Sequence, residues 1–324
     1  MSSAAHRLVS VIVPAFNAER TLEATLRTAA AQSHRDLEIV IIDDGSTDRT
    51  ADIASRFCSR EPRARLIEAD HAGVAAARNR GIAESAGAWI APLDADDLWH
   101  TDKLQRQLEI FASRSECVAL VYSWFRKIDH LGRITIEPPF TPVVEGQVLE
   151  RHLRWNFIGN ASSALIRRSA MTSLGYEPSL QAAGNQGCED YLLQLQLAQC
   201  FEFACAPAFL TGYRISPSAM SADSLRMARS HVQMYGILVG QLGGRARHIA
   251  RSELARWQML VGLIELRRGS LAQSLADIGT AARASVPAAL AVVFEQGLRF
   301  MPSASRGVQS PVMGCEFASV SPDA

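Results

Sequence analysis

Three short stretches of this chain carry residue types that could do chemistry together. The sharpest is Leu93-Asp94-Ala95-Asp96-Asp97. Two carboxylates one residue apart, at the end of an apolar run, can converge on a hard divalent cation. Mg²⁺ or Mn²⁺ prefers oxygen ligands and shares its shell with substrate phosphates. The competing reading is plain helix capping by Asp96, Asp97 and Thr101, since acids favour a helix N-terminus. A second stretch is Asp43-Asp44-Gly45-Ser46. An acid just past a strand can accept hydrogen bonds from a ribose or a base, or simply cap a turn. The third is Ala77-Arg78-Asn79-Arg80-Gly81, where small residues allow close approach. Arg78 there could reach a phosphate, although a lone arginine is more often solvated.

The surrounding pattern predicts how these stretches are held. Apolar runs at 8–13, 37–42, 65–69 and 89–93 read as buried strands. Between them, 18–32, 48–60 and 73–86 have helical spacing, with Ser46 and Thr47 as candidate N-caps for the second helix. Thr101 is the expected cap of a further helix carrying Leu104, Leu108 and Phe111. This β-α-β-α-β-α-β order predicts an α/β fold with a mostly parallel central sheet and helices on both faces. Ligands of such sheets bind beyond the carboxyl ends of the strands. Asn17, Asp43, Asp44 and Asp94 should therefore line one crevice.

Further along, strands are expected at 118–124 and 160–166, with a hairpin turn at 129–132 and a loop marked by Pro138, Pro139 and Pro142. A helix is expected at 189–199, and two short strands at 201–204 and 210–215. Helical patterning runs from about Ser221 to Phe300, and within 225–300 ten arginines face four acidic residues. A solvated face is the plainer account of that excess. Peripheral contact with an anionic membrane is the alternative it leaves open. The residues after 300, rich in Ser, Pro and Gly, read as a disordered tail.

Composition narrows the classes. The chain has 324 residues, formal net charge zero, 48% hydrophobic and 20% charged residues, as expected of a globular protein without nucleic-acid affinity. Six scattered cysteines show no C-x-x-C spacing, which fits a reducing compartment and small apolar roles. Residues 1–7 leave no room for a signal peptide, and the apolar run 286–294 is far short of the ~20 residues that a membrane span needs. A cytoplasmic location is expected, with surface attachment to a membrane kept open. Trp99 is expected to pack against the sheet, and His100, His130 and His152 to be structural or exposed.

Taken in order, Val9 to Asn17, Asp43 to Asp48, Ala76 to Gly81 and Leu93 to Asp97 resemble the family 2 glycosyltransferases, which have the GT-A (Rossmann-like) fold. The resemblance covers residues 8 to 110 and continues more loosely through Glu189-Asp190 to Tyr213-Arg214. It implies inverting transfer of a sugar from a nucleotide diphosphate donor, by family tendency a UDP-sugar, to a hydroxyl of a glycan, lipid-linked or other glycoconjugate acceptor. It implies that Pro14, Ala15, Phe16 and Asn17 sit beside the nucleotide, that Asp43 or Asp44 contacts base or ribose, and that Arg78 helps hold it. Asp94 would face ribose or metal, and Asp96 would be the main ligand of Mg²⁺ or Mn²⁺. The general base would be Asp190, with Glu189 as second candidate; the plain alternative is a helix N-terminus stabilised by two acids. Many relatives have a histidine where this chain has Ser216. Implied organisation is a catalytic domain over 1–220 (1–115 for the donor, 116–220 for the acceptor), a helical extension over 221–300 and a tail over 301–324.

Two rivals are weaker. A nucleotidyltransferase acting on sugar phosphates would carry a glycine-rich, lysine-bearing loop after its first strand, where this chain reads Pro14-Ala15-Phe16-Asn17. A non-catalytic nucleotide-sugar-binding protein would not need both acidic sites.

Overall fold

The computed structural model describes residues 8–136, 141–182, 184–216, 223–298 and 315–323. Expectations on Met1 to Arg7, Pro138, Pro139, the start of the helical region at Ser221 and residues 299–314 lie outside them.

The chain runs β1 (Val9–Ala15), α1 (Leu22–Ala30), β2 (Leu37–Asp44), α2 (Thr50–Cys58), β3 (Ala64–Ala69), α3 (Val74–Glu84), β4 (Trp89–Pro92), β5 (Leu98–Trp99), α4 (Lys103–Ala112), β6 (Val118–Ile128) and β7 (Ile134–Ile136). It continues through α5 (Leu149–Arg154), a 3₁₀ turn (Ala161–Ser163), β8 (Ala164–Arg167), α6 (Ser179–Ala182), α7 (Glu189–Leu197) and β9 (Glu202–Arg214). Four helices follow: α8 (Ser224–Gln241), α9 (Gly244–Arg267), α10 (Leu271–Ala284) and α11 (Val286–Leu298).

One sheet holds all the strands, in the order β3-β2-β1-β4-β8-β6-β9-β5, with β7 on β6. β3, β2, β1 and β4 are parallel. β8 enters antiparallel between β4 and β6, and β9 runs parallel to β6. Alternation along the strands builds two cores. Val9, Val11, Val13, Ile39 and Ile41 pack beneath α1, α2 and α4. Ile12, Val40 and Ile42 pack beneath Ala75 and Ala77 of α3, in a core that extends to Leu193 and Leu197 of α7. Both faces of the sheet are thus covered by helices.

Several expectations are corrected. Thr101 does not cap α4, whose N-cap is Asp102 without a side-chain bond. Ser46 and Thr47 do not cap α2; they bind Asn17 instead, and the first turn of α2 is held by Asp48, which accepts from Thr50 N. Residues 161–163 form a 3₁₀ turn rather than strand, because the Asn160 side chain accepts from Ser163 N. The two short strands near 201–215 are one strand, β9, that continues through Pro207. Its register against β6 shifts between Ser123 and Trp124, which oppose Ala206 and Phe209. A bulge there absorbs a residue that cannot donate to the ladder.

The end of the chain is the largest correction. Residues 315–323 dock on the sheet: Arg133 and Glu316 form an antiparallel bridge, and Phe317 is buried against Ile128 and Ile134. Phe209 N donates to Pro322 O, and Arg106 makes two bonds to Asp323. Of the cysteines, Cys188 and Cys205 are buried and Cys117, Cys200 and Cys315 are exposed, so only part of the set is small apolar filling. No helix among the described residues is long and apolar enough to cross a membrane.

Candidate active site

The strand ends meet as the parallel topology requires. Pro14 and Ala15 lie opposite Ile42 and Asp43, and Asp43 in turn opposes Glu68. Beyond β1 the chain turns through Asn17, whose φ of 49° is the left-handed conformation that asparagine tolerates better than most residues. The turn is tied to the loop after β2: Asn17 N donates to Ser46 Oγ, and Asn17 Oδ1 accepts from Thr47 N at 2.9 Å. Phe16 is exposed and stacks on His71, ring centroids 4.2 Å apart. Gly45 (φ +73°) allows the close approach of His71, because a Cβ there would lie 2.9 Å from His71 N.

Asp43 and Asp44 are equivalent in sequence and different in the structure. Both Asp44 oxygens are committed: Oδ1 accepts from Ala72 N (2.9 Å) and Oδ2 from Gly73 N (2.8 Å), with His71 Nδ1 2.9 Å away. Asp44 thus anchors the start of α3. Asp43 is buried, and its Oδ1 has no partner.

α3 brings Arg78 under this crevice. Gly81 lets the helix sit close to the sheet, since a Cβ there would fall 2.5 Å from Ile42 Cδ1 and 2.7 Å from Ile12 Cγ2. Arg78 is buried rather than solvated, donates through Nη2 to Asp94 Oδ1, and stacks over Tyr176 with Cζ 5.0 Å from the ring centre. Its Nε has no partner. Asn79, to which the sequence reading gave no role, fixes Tyr176 by donating to its carbonyl (2.7 Å) and accepting from its amide (2.8 Å).

The acidic loop lies between β4 and β5, and β5 pairs with the end of β9. Arg214 closes it: its backbone N donates to Asp97 Oδ1 (2.9 Å), its Nε to Asp96 O (2.6 Å) and its Nη1 to Asp129 O. Ser162 supports it from below, accepting from Asp94 N at 3.0 Å, while the Ser162 carbonyl accepts from the buried Trp99 indole at 2.8 Å. Trp99 therefore packs as expected. Burial and then neighbouring Asp94 push the Asp96 carboxyl up to about 6, against the pull of Arg214. Asp97 is fully buried with Oδ2 unpartnered. This crowding of acids and one orphaned carboxylate oxygen fit a hard cation taking part of its shell from protein. Among the described residues no three His, Cys, Asp or Glu side chains form a closed cage, so the remaining ligands would come from elsewhere.

Asp190 reaches the same place from about a hundred residues further along. Leu193 and Leu197 of α7 share a core with Ala75 and Ala77 of α3, and the start of α7 lies within the field of Arg78. Burial pushes Asp190 up to about 7; Arg78 lowers it, while Asp94 and Glu189 raise it further. Glu189 is buried and turned into the helix start, where Oε2 accepts from Gly187 N at 2.8 Å and Oε1 has no partner. Ser216 is described, but Pro217 and Ser218 are not. His152 is buried among Phe157, Tyr191 and Phe203, a structural role. A separate cavity of about 180 Å³, lined by Asn185, Arg229, Gln233, Gln273 and others, lies among the C-terminal helices and not at the acidic loop.

Carboxylates from separate loops thus gather with Arg78 beyond the strand ends of a GT-A sheet. The model of Glycosyl transferase family 2 matches residues 10–174, just over half of the chain, and the protein belongs to that family. A teichuronic acid biosynthesis glycosyltransferase, TuaG, of Bacillus subtilis is 40% identical over 109 residues, 33% of this chain and 43% of that protein. A chondroitin synthase of Escherichia coli is 34% identical over 127 residues, 39% of this chain and 18% of its own length. The matched segment thus spans less than half of these relatives. Among solved structures, S. aureus TarS 1-349 in complex with UDP superposes with a TM-score of 0.61 at 16% identity, covering 89% of this chain and 91% of that one. The mannosyltransferase PcManGT of Pyrobaculum calidifontis, in complex with GDP-Man and Mn2+, gives 0.59 at 20% identity over 90% of this chain and 80% of that one. Both are similar in fold.

Proposed function

We propose that the chain is an inverting glycosyltransferase that moves a sugar from a nucleotide diphosphate donor, a UDP-sugar first among candidates, to a hydroxyl of a glycan or glycoconjugate. The observation that carries this reading is Asp190 lying within the field of Arg78 and Asp94. A carboxylate held near neutrality beside a phosphate-binding crevice is what a base for hydroxyl attack requires. Asp190 takes the acceptor proton as the hydroxyl oxygen attacks the anomeric carbon. The bond to the diphosphate breaks on the opposite face, and the nucleoside diphosphate leaves with the electron pair, inverting the centre. Asp43, with its unpartnered oxygen, accepts from base or ribose, and Pro14, Ala15, Phe16 and Asn17 wall the nucleotide. Asp44 acts indirectly by fixing α3. Arg78 orients Asp94 and adds positive charge beneath the diphosphate. Mg²⁺ or Mn²⁺ held by Asp96 and Asp94 would neutralise the departing diphosphate. The relatives named for teichuronic acid and chondroitin support a glycan acceptor, and the neighbours bound to UDP, UDP-GlcNAc or GDP-Man support the donor class. We infer a cytoplasmic site of action; peripheral membrane contact through the arginine-rich helices is a secondary expectation that vesicle sedimentation tests.

A panel of sugar nucleotides, scored for transfer or hydrolysis, identifies the donor. With it, Asp190→Asn should slow turnover by about 10²- to 10⁴-fold and leave UDP binding unchanged. Because the base acts unprotonated, turnover of the parent should climb with pH and level off above about 7. Parent-like turnover in Asp190→Asn removes the assignment.

A further inference from the structure

The C-terminal helices have no part in the chemistry described so far, yet α8 is moulded to the segment that carries the proposed base. One face of α7, with Leu193 and Leu197, enters the core that α3 also lines. The other, with Cys188, Tyr191, Leu192 and Leu195, packs on Met234, Tyr235 and Leu238 of α8. Polar contacts follow the same line. Asn185 Nδ2 donates to Gln233 Oε1 at 3.1 Å, and Gln233 Nε2 donates to Ser179 O at 3.0 Å. His231 Nδ1 lies 3.3 Å from Cys188 Sγ and 2.8 Å from Met227 O, and its ring stacks on Trp257 of α9 at 3.7 Å. Tyr191 Oη and Tyr235 Oη are 3.2 Å apart, and Tyr235 donates to Leu153 O. Gly187 has φ +118°, and a Cβ there would sit 2.6 Å from Met227 Sδ. Four successive contacts thus run from residue 185 to residue 191, and Asp190 lies between the last two.

We infer that α8 positions the catalytic base: Gln233, with Met227 and His231, holds the Asn185–Cys188 loop and so fixes where α7 begins. The inference rests on the reading of Asp190 as base. The donor crevice, built by β1, β2, α3 and the acidic loop, makes none of these contacts. Loosening α8 should therefore spoil turnover and spare nucleotide binding, a split that general destabilisation does not produce. Gln233 is half-buried and suits the test, because its removal leaves the apolar α7–α8 contact whole.

The experiment uses the full chain, UDP with Mn²⁺ as binding probe, and the sugar nucleotide found by the panel. Gln233→Ala should lower kcat by about 10- to 100-fold, as expected when a reacting group is displaced by about an ångström, with UDP affinity within twofold of the parent. Hydrogen exchange should quicken over residues 185–191 and stay unchanged over 74–84. Asn185→Ala should give the same loss, and the double variant no more than either single one. The inference falls if Gln233→Ala keeps kcat within twofold, if UDP affinity falls in step with kcat, or if the two losses multiply. If Asp190→Asn itself turns over normally, the base assignment has failed; the exchange pattern in Gln233→Ala then still decides whether α8 holds this loop.

Discussion

The half of the sheet formed by β1 to β4 and the half formed by β6, β8 and β9 bring carboxylates to one crevice by different means. In the first, Asn17, Asp43, Asp44 and Asp94 lie at or just past the ends of parallel strands, and topology alone aligns those ends. In the second, Asp190 arrives on a helix packed into the core it shares with α3 on one side and against α8 on the other. The acidic loop joins the two, fixed to the first half through Arg78 and to the second through Arg214 and Ser162. Local pattern is enough to place a residue at a strand end. It is not enough to aim a helix whose two packing partners lie far away along the chain.

Breaking the joint between the halves should have the largest effect on stability. Arg78→Leu leaves Asp94 without its buried partner, and unfolding should show a loss of about 3–5 kcal/mol; a loss below 1 kcal/mol would mean that the pair does not join the halves. The neighbouring acids of the first half sharpen the comparison. Asp44→Ala strips acceptors from the part-buried amide of Ala72 and the buried amide of Gly73 and should cost roughly 1–3 kcal/mol of stability. Asp43→Asn should weaken UDP binding by about tenfold, the order of one hydrogen bond to a charged group, with little change in stability. If the two variants exchange these phenotypes, the division of labour is reversed. The smallest effect is expected at the docked C-terminal segment. Arg106→Ala removes a partly exposed ion pair to Asp323 and should cost under about 1 kcal/mol, with UDP binding unaffected.

This contrast explains what was legible in the sequence. The elements of the first half follow from apolar runs and helical spacing, with ends displaced by a few residues. The order β-α-β-α-β-α-β gave the crevice and its residues together. What separates Asp43 from Asp44 was not legible, because it depends on amides 28 and 29 residues away. The buried state of Arg78 was not legible either: it follows from a carboxylate 16 residues on and from Tyr176, which Asn79 pins. β9 reads as two strands in the sequence, with Pro207 between them, whereas a bulge carries the strand past it. The end of the chain, rich in Ser, Pro and Gly, reads as disordered, but Phe317 finds a buried site beside Ile128. The C-terminal helices were recognised as helices, while their contact with α7 lies in packing alone.

We propose that the acidic loop and the ends of β1 and β2 form one pocket for a nucleotide diphosphate and a divalent cation. Calorimetric titration of UDP with and without Mn²⁺, on the parent and on Asp96→Ala, tests it directly. Mn²⁺ should strengthen UDP binding to the parent, and Asp96→Ala should lose this gain while remaining folded. UDP binding with the same Mn²⁺ dependence in both proteins would contradict it.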